Sequence, residues 1–157
     1  MIGGNFRLHE LQAAFLRVKL RHLDQALKKR RESAQKLIHI LMERWKAVFP
    51  ADRCVCEGED TGRSPADSVL LPFACQVGDG GHTWNQFVVR IQGQGKRDAY
   101  RTRLVAEGIQ SEVYYPRSMH EQDCFVRQKS SGGYPIAERL TAESVALPLG
   151  FNPGLPP

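Results

Sequence analysis

The 157-residue sequence lacks the features of a membrane or secreted protein. No apolar run approaches the roughly 20 residues that a membrane-spanning helix needs. No signal peptide precedes the first helical segment. We therefore expect a protein of the cytoplasm that has no membrane partner.

Familiar catalytic and nucleotide-binding motifs are also lacking. The sequence contains no P-loop, no G-x-G-x-x-G after a strand and no H-E-x-x-H. No evident nucleophile pairs with any of the five histidines, which are His9, His22, His39, His82 and His120. The residue types alone therefore do not predict Ser/His/Asp catalysis.

Cysteine is scarce, and its spacing does not suit a metal. The four cysteines are Cys54, Cys56, Cys75 and Cys124. Cys54-Val55-Cys56 lacks the two-residue gap of zinc and redox motifs, and no nearby histidine completes a ligand set. We expect free thiols in a reducing compartment, and no metal.

The positive charge is concentrated in the first part of the chain. Residues 1–50 hold 11 Lys/Arg against 4 Asp/Glu, whereas the remainder holds 11 against 13. We interpret this excess as a solvated helix surface. The alternative is a non-enzymatic basic module that binds nucleic acid or an acidic partner.

Helical periodicity dominates residues 1–49. Leu8, Leu11, Phe15 and Val18 recur at helical spacing. A second apolar stripe follows Asp24, an N-cap or first-turn acid, and Pro50 stops it. The sequence thus predicts two long helices, followed by a polar, turn-rich loop at 50–67.

Residues 68–157 predict a small α/β domain. Strands are expected at Val69–Ala74, Trp84–Ile91 and Gln110–Tyr115. Helices are expected at Lys96–Glu107, with Gly108 as the C′ residue, and at Pro135–Ser144. The predicted fold class is α+β: two long N-terminal helices and a small antiparallel-type sheet with flanking helices.

Two stretches carry side chains suited to ligands. In Gly3-Gly4-Asn5-Phe6-Arg7 the glycines permit close backbone approach, Asn5 offers an amide and Arg7 a phosphate-binding fork. The alternative is a Gly-rich helix entry with a capping Asn.

The second stretch, residues 112–122, is dense in polar aromatic and basic groups. Tyr114, Tyr115 and His120 suit sugar hydroxyls or proton relay. The alternative is that these strand-end aromatics pack in the core.

Four blocks of this sequence, taken in order, resemble one family. They are GGNFRLHELQAAFLRVKLRHLD, WNQFVVRI, GIQSEVYYPRSMHEQDCF and YPIAERLTAESVALPL. They resemble the C-terminal part of the DegT/DnrJ/StrS nucleotide-sugar aminotransferases, which use pyridoxal phosphate and have the aspartate-aminotransferase type of fold. The resemblance implies that residues 68–157 are similar to the small C-terminal domain of that fold.

The resemblance also implies roles for individual residues. Asn5 matches the family asparagine that contacts the phosphate of the cofactor held by the neighbouring subunit, and Arg7 lies at the same shared site. Tyr114, Tyr115 and His120 match the segment that lines the sugar-nucleotide pocket. The Tyr-Tyr-Pro variant resembles enzymes that act on 3-keto sugar nucleotides.

The sequence also departs from the family pattern. Glu121 places a charge where the family has an apolar residue. The large domain that supplies the Schiff-base lysine and the acid facing the pyridine nitrogen has no counterpart here, and neither has the C-terminal helix of the family.

We therefore expect the C-terminal portion of an enzyme that transfers an amino group, from a donor such as glutamate, to a keto sugar nucleotide in amino-sugar or polysaccharide biosynthesis. The complete enzyme would be a homodimer that binds no nucleic acid. The isolated chain would be inactive, and a remnant or a split subunit that pairs with a separate large domain remains an alternative.

Overall fold

The computed structural model describes residues 8–49, 68–72, 81–125 and 133–149. The elements, in chain order, are α1 (Glu10–Leu20), α2 (Leu23–Trp45), β1 (Val69–Leu70), β2 (Phe87–Ile91), α3 (Lys96–Ala106), a 3-10 turn (Met119–Glu121), α4 (Pro135–Glu143) and β3 (Ser144–Leu147). The predicted loop at 50–67 lies outside the described residues.

The two N-terminal helices follow the predicted periodicity but differ in burial. His9 caps α1: its side chain accepts the Leu11 N–H, and Gln12 reaches back to the His9 N–H. No residue of α1 is buried, whereas α2 buries Ala34, Leu37 and Leu41. Asp24 lies in the first turn of α2, as expected. Of these two helices, α2 is therefore the one that contributes to the core of the described residues.

The sheet is antiparallel, in the order β1-β2-β3. The central strand, β2, buries alternate residues, Phe87, Val89 and Ile91, as a half-covered strand should. Its neighbour β3 pairs Val89 with Val145. The predicted combination of helices and a small antiparallel sheet is thus confirmed.

The third strand is not where the sequence predicted it. The segment Gln110–Tyr115 forms only an isolated bridge, Glu112 to Ala146, and the third strand is β3. Ser144, assigned to the last helix, begins that strand. Burial explains the correction, because Val145 and Leu147 are buried beside β2 while Tyr114 and Tyr115 are exposed.

Other boundaries agree with the prediction to within a few residues. Lys96–Ala106 ends one residue early, and Gly108 follows it with φ +76° as a C′ glycine. Pro135 occupies the first turn of α4. Only Val69–Leu70 of the first predicted strand is paired, and residues 73–74 are not described.

One apolar core joins α2, α3 and the sheet. It includes Leu41, Phe87, Leu104 and Val145, all nearly inaccessible to solvent. Within the described residues, no helix is long and apolar enough to cross a membrane.

Candidate functional site

An open groove with a volume of about 260 Å³ lies along one end of the sheet. Its polar lining includes Asn85, Gln86, Gln110, Glu112 and Tyr114. These side chains offer amide, carboxylate and phenol groups, which hydrogen-bond hydroxyl and amine groups. The described lining contains no Lys or Arg, so it suits a neutral polar ligand group better than a phosphate.

Backbone pairing with β3 holds the Tyr114 segment in place. The Glu112 N–H donates to the Ala146 carbonyl at 3.0 Å, and the Ala146 N–H donates to the Glu112 carbonyl at 2.7 Å. Two residues later, the Tyr114 ring lines the groove and is 47% exposed. The isolated bridge therefore places Tyr114 at the end of the sheet, where the predicted strand would also have placed it.

Tyr115 lies beside Tyr114 but outside the groove lining. The two rings are 6.3 Å apart in an edge-to-face arrangement, and Tyr115 is 71% exposed. Neither tyrosine ring packs in the core. The alternative expectation, that these aromatic residues are core residues, is therefore wrong for both tyrosines. Both phenols remain accessible to a ligand.

His120 belongs to a separate cluster against the first turn of α4. Its Nε2 lies 2.9 Å from the Glu138 Oε1, and its ring centroid is 4.7 Å from that of Tyr134. The side chain is 18% exposed. His120 is not a lining residue of the groove that contains Tyr114.

The 3-10 turn that carries His120 is fixed by its own cap. Glu121 accepts the Ser118 N–H at 3.0 Å, and the Ser118 and Thr141 hydroxyls are 3.1 Å apart. Glu121, the charged departure from the family pattern, is therefore a capping residue at the protein surface. Ser118 itself is buried.

Several structural residues around these clusters were not singled out by the sequence. The Arg90 Nη2 bonds the Glu143 Oε2 at 2.7 Å, and the Arg97 Nη1 donates to the Thr141 carbonyl at 2.6 Å. The hydrogen bond from Arg97 lowers the pKa of Asp98. Glu138 and Glu143 both lie in YPIAERLTAESVALPL, one of the four blocks that resemble the family. Their position in that block is the sequence signal that could have identified them.

Asn5 and Arg7 lie outside the described residues. The six lysines that are described are all exposed: Lys19, Lys28, Lys29, Lys36, Lys46 and Lys96. A lysine that binds a cofactor covalently needs a sheltered site beside it. The described lysines therefore do not fit the covalent attachment of pyridoxal phosphate, while Tyr114 and its neighbours fit contacts to a polar substrate.

Metal binding has no support in the described ranges. No group of three or more His, Cys, Asp or Glu side chains there could hold an ion. Cys124 is exposed and free, whereas Cys54, Cys56 and Cys75 lie outside the described residues.

Similar proteins are found among curated sequences. The chain is 32% identical over 147 residues to a dTDP-3-amino-3,6-dideoxy-alpha-D-galactopyranose transaminase of Aneurinibacillus thermoaerophilus, covering 94% of this chain and 32% of that protein. It is 30% identical to a UDP-N-acetyl-3-dehydro-alpha-D-glucosamine 3-aminotransferase of Acidithiobacillus ferrooxidans, covering 95% of this chain and 32% of the relative. The chain thus spans about a third of the length of these relatives.

Solved structures agree with the sequence relatives. Streptomyces venezuelae DesV, in complex with a ketimine intermediate, superposes with a TM-score of 0.67 at 29% identity, covering 98% of this chain and 34% of DesV. A Brucella abortus aminotransferase superposes with a TM-score of 0.61 at 26% identity, covering 90% of this chain and 31% of the other.

A family model describes nearly the whole sequence. It matches residues 1–54 and 65–153, which include the sequence Gly3–Arg7, β2, the Tyr114 segment and α4. The chain therefore belongs to the DegT/DnrJ/EryC1/StrS aminotransferase family.

Proposed function

We propose that this chain is the C-terminal portion of a nucleotide-sugar aminotransferase. The complete enzyme transfers an amino group from an amino acid, glutamate, to a keto sugar nucleotide in the cytoplasm. The observation that carries the proposal is the superposition of 98% of this chain on a third of DesV. The dTDP- and UDP-linked sugars in the names of the relatives support the substrate class.

Tyr114, Tyr115 and His120 are proposed to contact the sugar. The exposed phenols and the polar groove beside Tyr114 support this role, because hydroxyl-rich ligands are held by such groups. His120 lies in a separate cluster, so it is expected to reach a different group of the substrate from Tyr114.

Asn5 and Arg7 are proposed to bind the cofactor phosphate across a homodimer interface. An amide and a guanidinium both donate to phosphate oxygens. Pyridoxal phosphate, when bound, supplies an electron-withdrawing ring that stabilises negative charge on the reacting carbon. The residues of this chain contribute binding and orientation, while the covalent lysine comes from a large domain outside this chain.

A chimeric enzyme tests the proposal. The matched third of the Aneurinibacillus thermoaerophilus transaminase is replaced by this chain, and transfer from glutamate to its keto sugar nucleotide is followed by chromatography. We expect activity in the chimera, at least a tenfold loss in the chimera carrying Asn5→Ala, and none in the isolated chain. His39→Gln, on an exposed face of α2, is the matched control and should retain activity.

Two results would contradict the proposal. One is a folded, dimeric chimera that does not transaminate, and the other is transamination by the isolated chain. Sequencing the DNA that flanks this reading frame then separates two arrangements. An upstream frame for a lysine-bearing large domain indicates one enzyme chain, and its absence indicates a split subunit or a remnant.

A further inference from the structure

The His120 imidazole is held by two contacts from α4 and the residue before it. The Nε2 atom lies 2.9 Å from the Glu138 Oε1, and the Tyr134 ring lies 4.7 Å from the imidazole, centroid to centroid. The contact with Glu138 spans 18 residues of sequence, so it is a tertiary contact rather than a local helix pair. The ring orientation of His120 is therefore set by the fold.

Glu138 is itself oriented before anything binds. Its Oε1 accepts the Tyr134 backbone N–H at 3.1 Å, in the first turn of α4. Carboxylates are favoured there because the first backbone N–H groups of a helix lack helical acceptors. The oxygen that faces His120 is thus anchored to the backbone.

This contact determines which imidazole nitrogen carries the proton. An ionised carboxylate only accepts hydrogen bonds, so the Nε2 that faces it must be the protonated nitrogen. In the neutral ring, Nδ1 then holds a lone pair. Among the described residues, none is hydrogen-bonded to the His120 Nδ1.

We propose that Glu138 is a positioning residue that holds His120 as the Nε2–H tautomer and presents Nδ1 as a hydrogen-bond acceptor to the substrate. The group that Nδ1 binds is then a donor, a hydroxyl of the sugar. The Glu138 carboxylate faces the ring, so a neutral hydroxyl suits this position better than another anion. This inference rests on the proposed function, in which His120 contacts the sugar.

Nuclear magnetic resonance of the imidazole nitrogens tests the proposal on the chain as it stands. The chain is labelled with ¹⁵N-histidine and long-range ¹H–¹⁵N spectra are recorded at pH 8.5, with His120→Gln used to assign the signal. We expect one tautomer, protonated at Nε2, in the wild-type chain. In Glu138→Gln we expect both tautomers, because an amide can donate as well as accept.

A matched pair on α2 provides the control. His39 and Glu43 lie 3.7 Å apart, and both side chains are largely exposed to solvent. Glu43→Gln should leave the tautomer mixture of His39 unchanged. A purely structural role of Glu138 would lower the melting temperature of Glu138→Gln without changing the His120 tautomer.

The wild-type spectrum alone can overturn the inference. A tautomer mixture, an Nδ1–H ring or a doubly protonated ring at pH 8.5 would each contradict it, even if Glu138→Gln failed to fold. The measurement needs neither cofactor nor substrate. Its failure is therefore distinct from failure of the chimera to transaminate, which bears on the proposed function.

Discussion

Tyr100 illustrates how a single buried polar atom adds a cost to this fold. Its ring packs edge-to-face with Trp45 at 4.6 Å, and the Arg103 guanidinium lies 4.1 Å from the centre of the Trp45 ring. The Tyr100 hydroxyl is buried and has no hydrogen-bond partner among the described residues. Burial therefore raises the pKa of Tyr100 above its ordinary value near 10.

Tyr100→Phe is predicted to stabilise the fold. The ring contacts remain, and loss of the unsatisfied hydroxyl should raise the free energy of unfolding by about 1 kcal/mol. Because the folded form of the wild-type chain keeps the phenol proton to higher pH than the unfolded form, its stability falls as the pH rises above about 10. The Tyr100→Phe variant should lose less stability over the same rise in pH.

Urea unfolding at pH 7 and above pH 10 measures both effects. Tyr115→Phe is the control, because Tyr115 is exposed. Its free energy of unfolding should match that of the wild-type chain at both pH values. A less stable Tyr100→Phe variant, or an unchanged response to alkaline pH, would contradict the prediction.

At the scale of elements, polar contacts connect α4 to β2 and to α3. The Arg90 Nε and Nη2, on β2, both donate to the Glu143 Oε2, at 3.2 and 2.7 Å. From α3, Arg97 donates to the Thr141 carbonyl at 2.6 Å. Since β3 follows α4 directly, these contacts also direct the strand onto β2.

Glu143→Gln is predicted to destabilise this connection. The amide keeps the shape of the side chain but loses the charge, and a charge-assisted bond contributes about 1.5–3 kcal/mol to stability. Melting followed by circular dichroism measures the loss. Asp123→Asn is the control, because Asp123 forms an exposed pair with Arg117, and this variant should have the melting temperature of the wild-type chain. An equal loss of melting temperature in the two variants would contradict the prediction.

For the whole molecule, α1 is the helix that buries none of its residues in the described part of the chain. Its apolar residues include Leu11, Phe15, Leu16, Val18 and Leu20, all more than half exposed. The chain spans about a third of its relatives, and exposed apolar patches of this kind promote association.

We predict that the isolated chain self-associates through α1. The double substitution Phe15→Gln and Leu16→Gln should lower the mass measured by light scattering without lowering the melting temperature, because neither side chain is buried. Val105→Gln, an equally exposed apolar residue on α3, is the control and should leave association unchanged. A monodisperse wild-type monomer would contradict the prediction.

Local sequence patterns determined much of this protein. Helix positions followed from contacts between residues three or four apart, which periodicity records directly. The predicted α2, β2 and α3 agree with the structure to within a few residues. The order of the four blocks was enough to identify the family, because their combination is specific where each one alone is weak.

Only the tertiary structure decided which segment became the third strand and which residues surround His120. Both depend on contacts between distant positions: Val89 with Val145 in the sheet, and His120 with Glu138 at the start of α4. The segment at 110–115 has strand-forming residues, but Val145 and Leu147 bury more apolar surface against β2. Such choices depend on which distant backbones pair and which side chains become buried, and no local pattern encodes either.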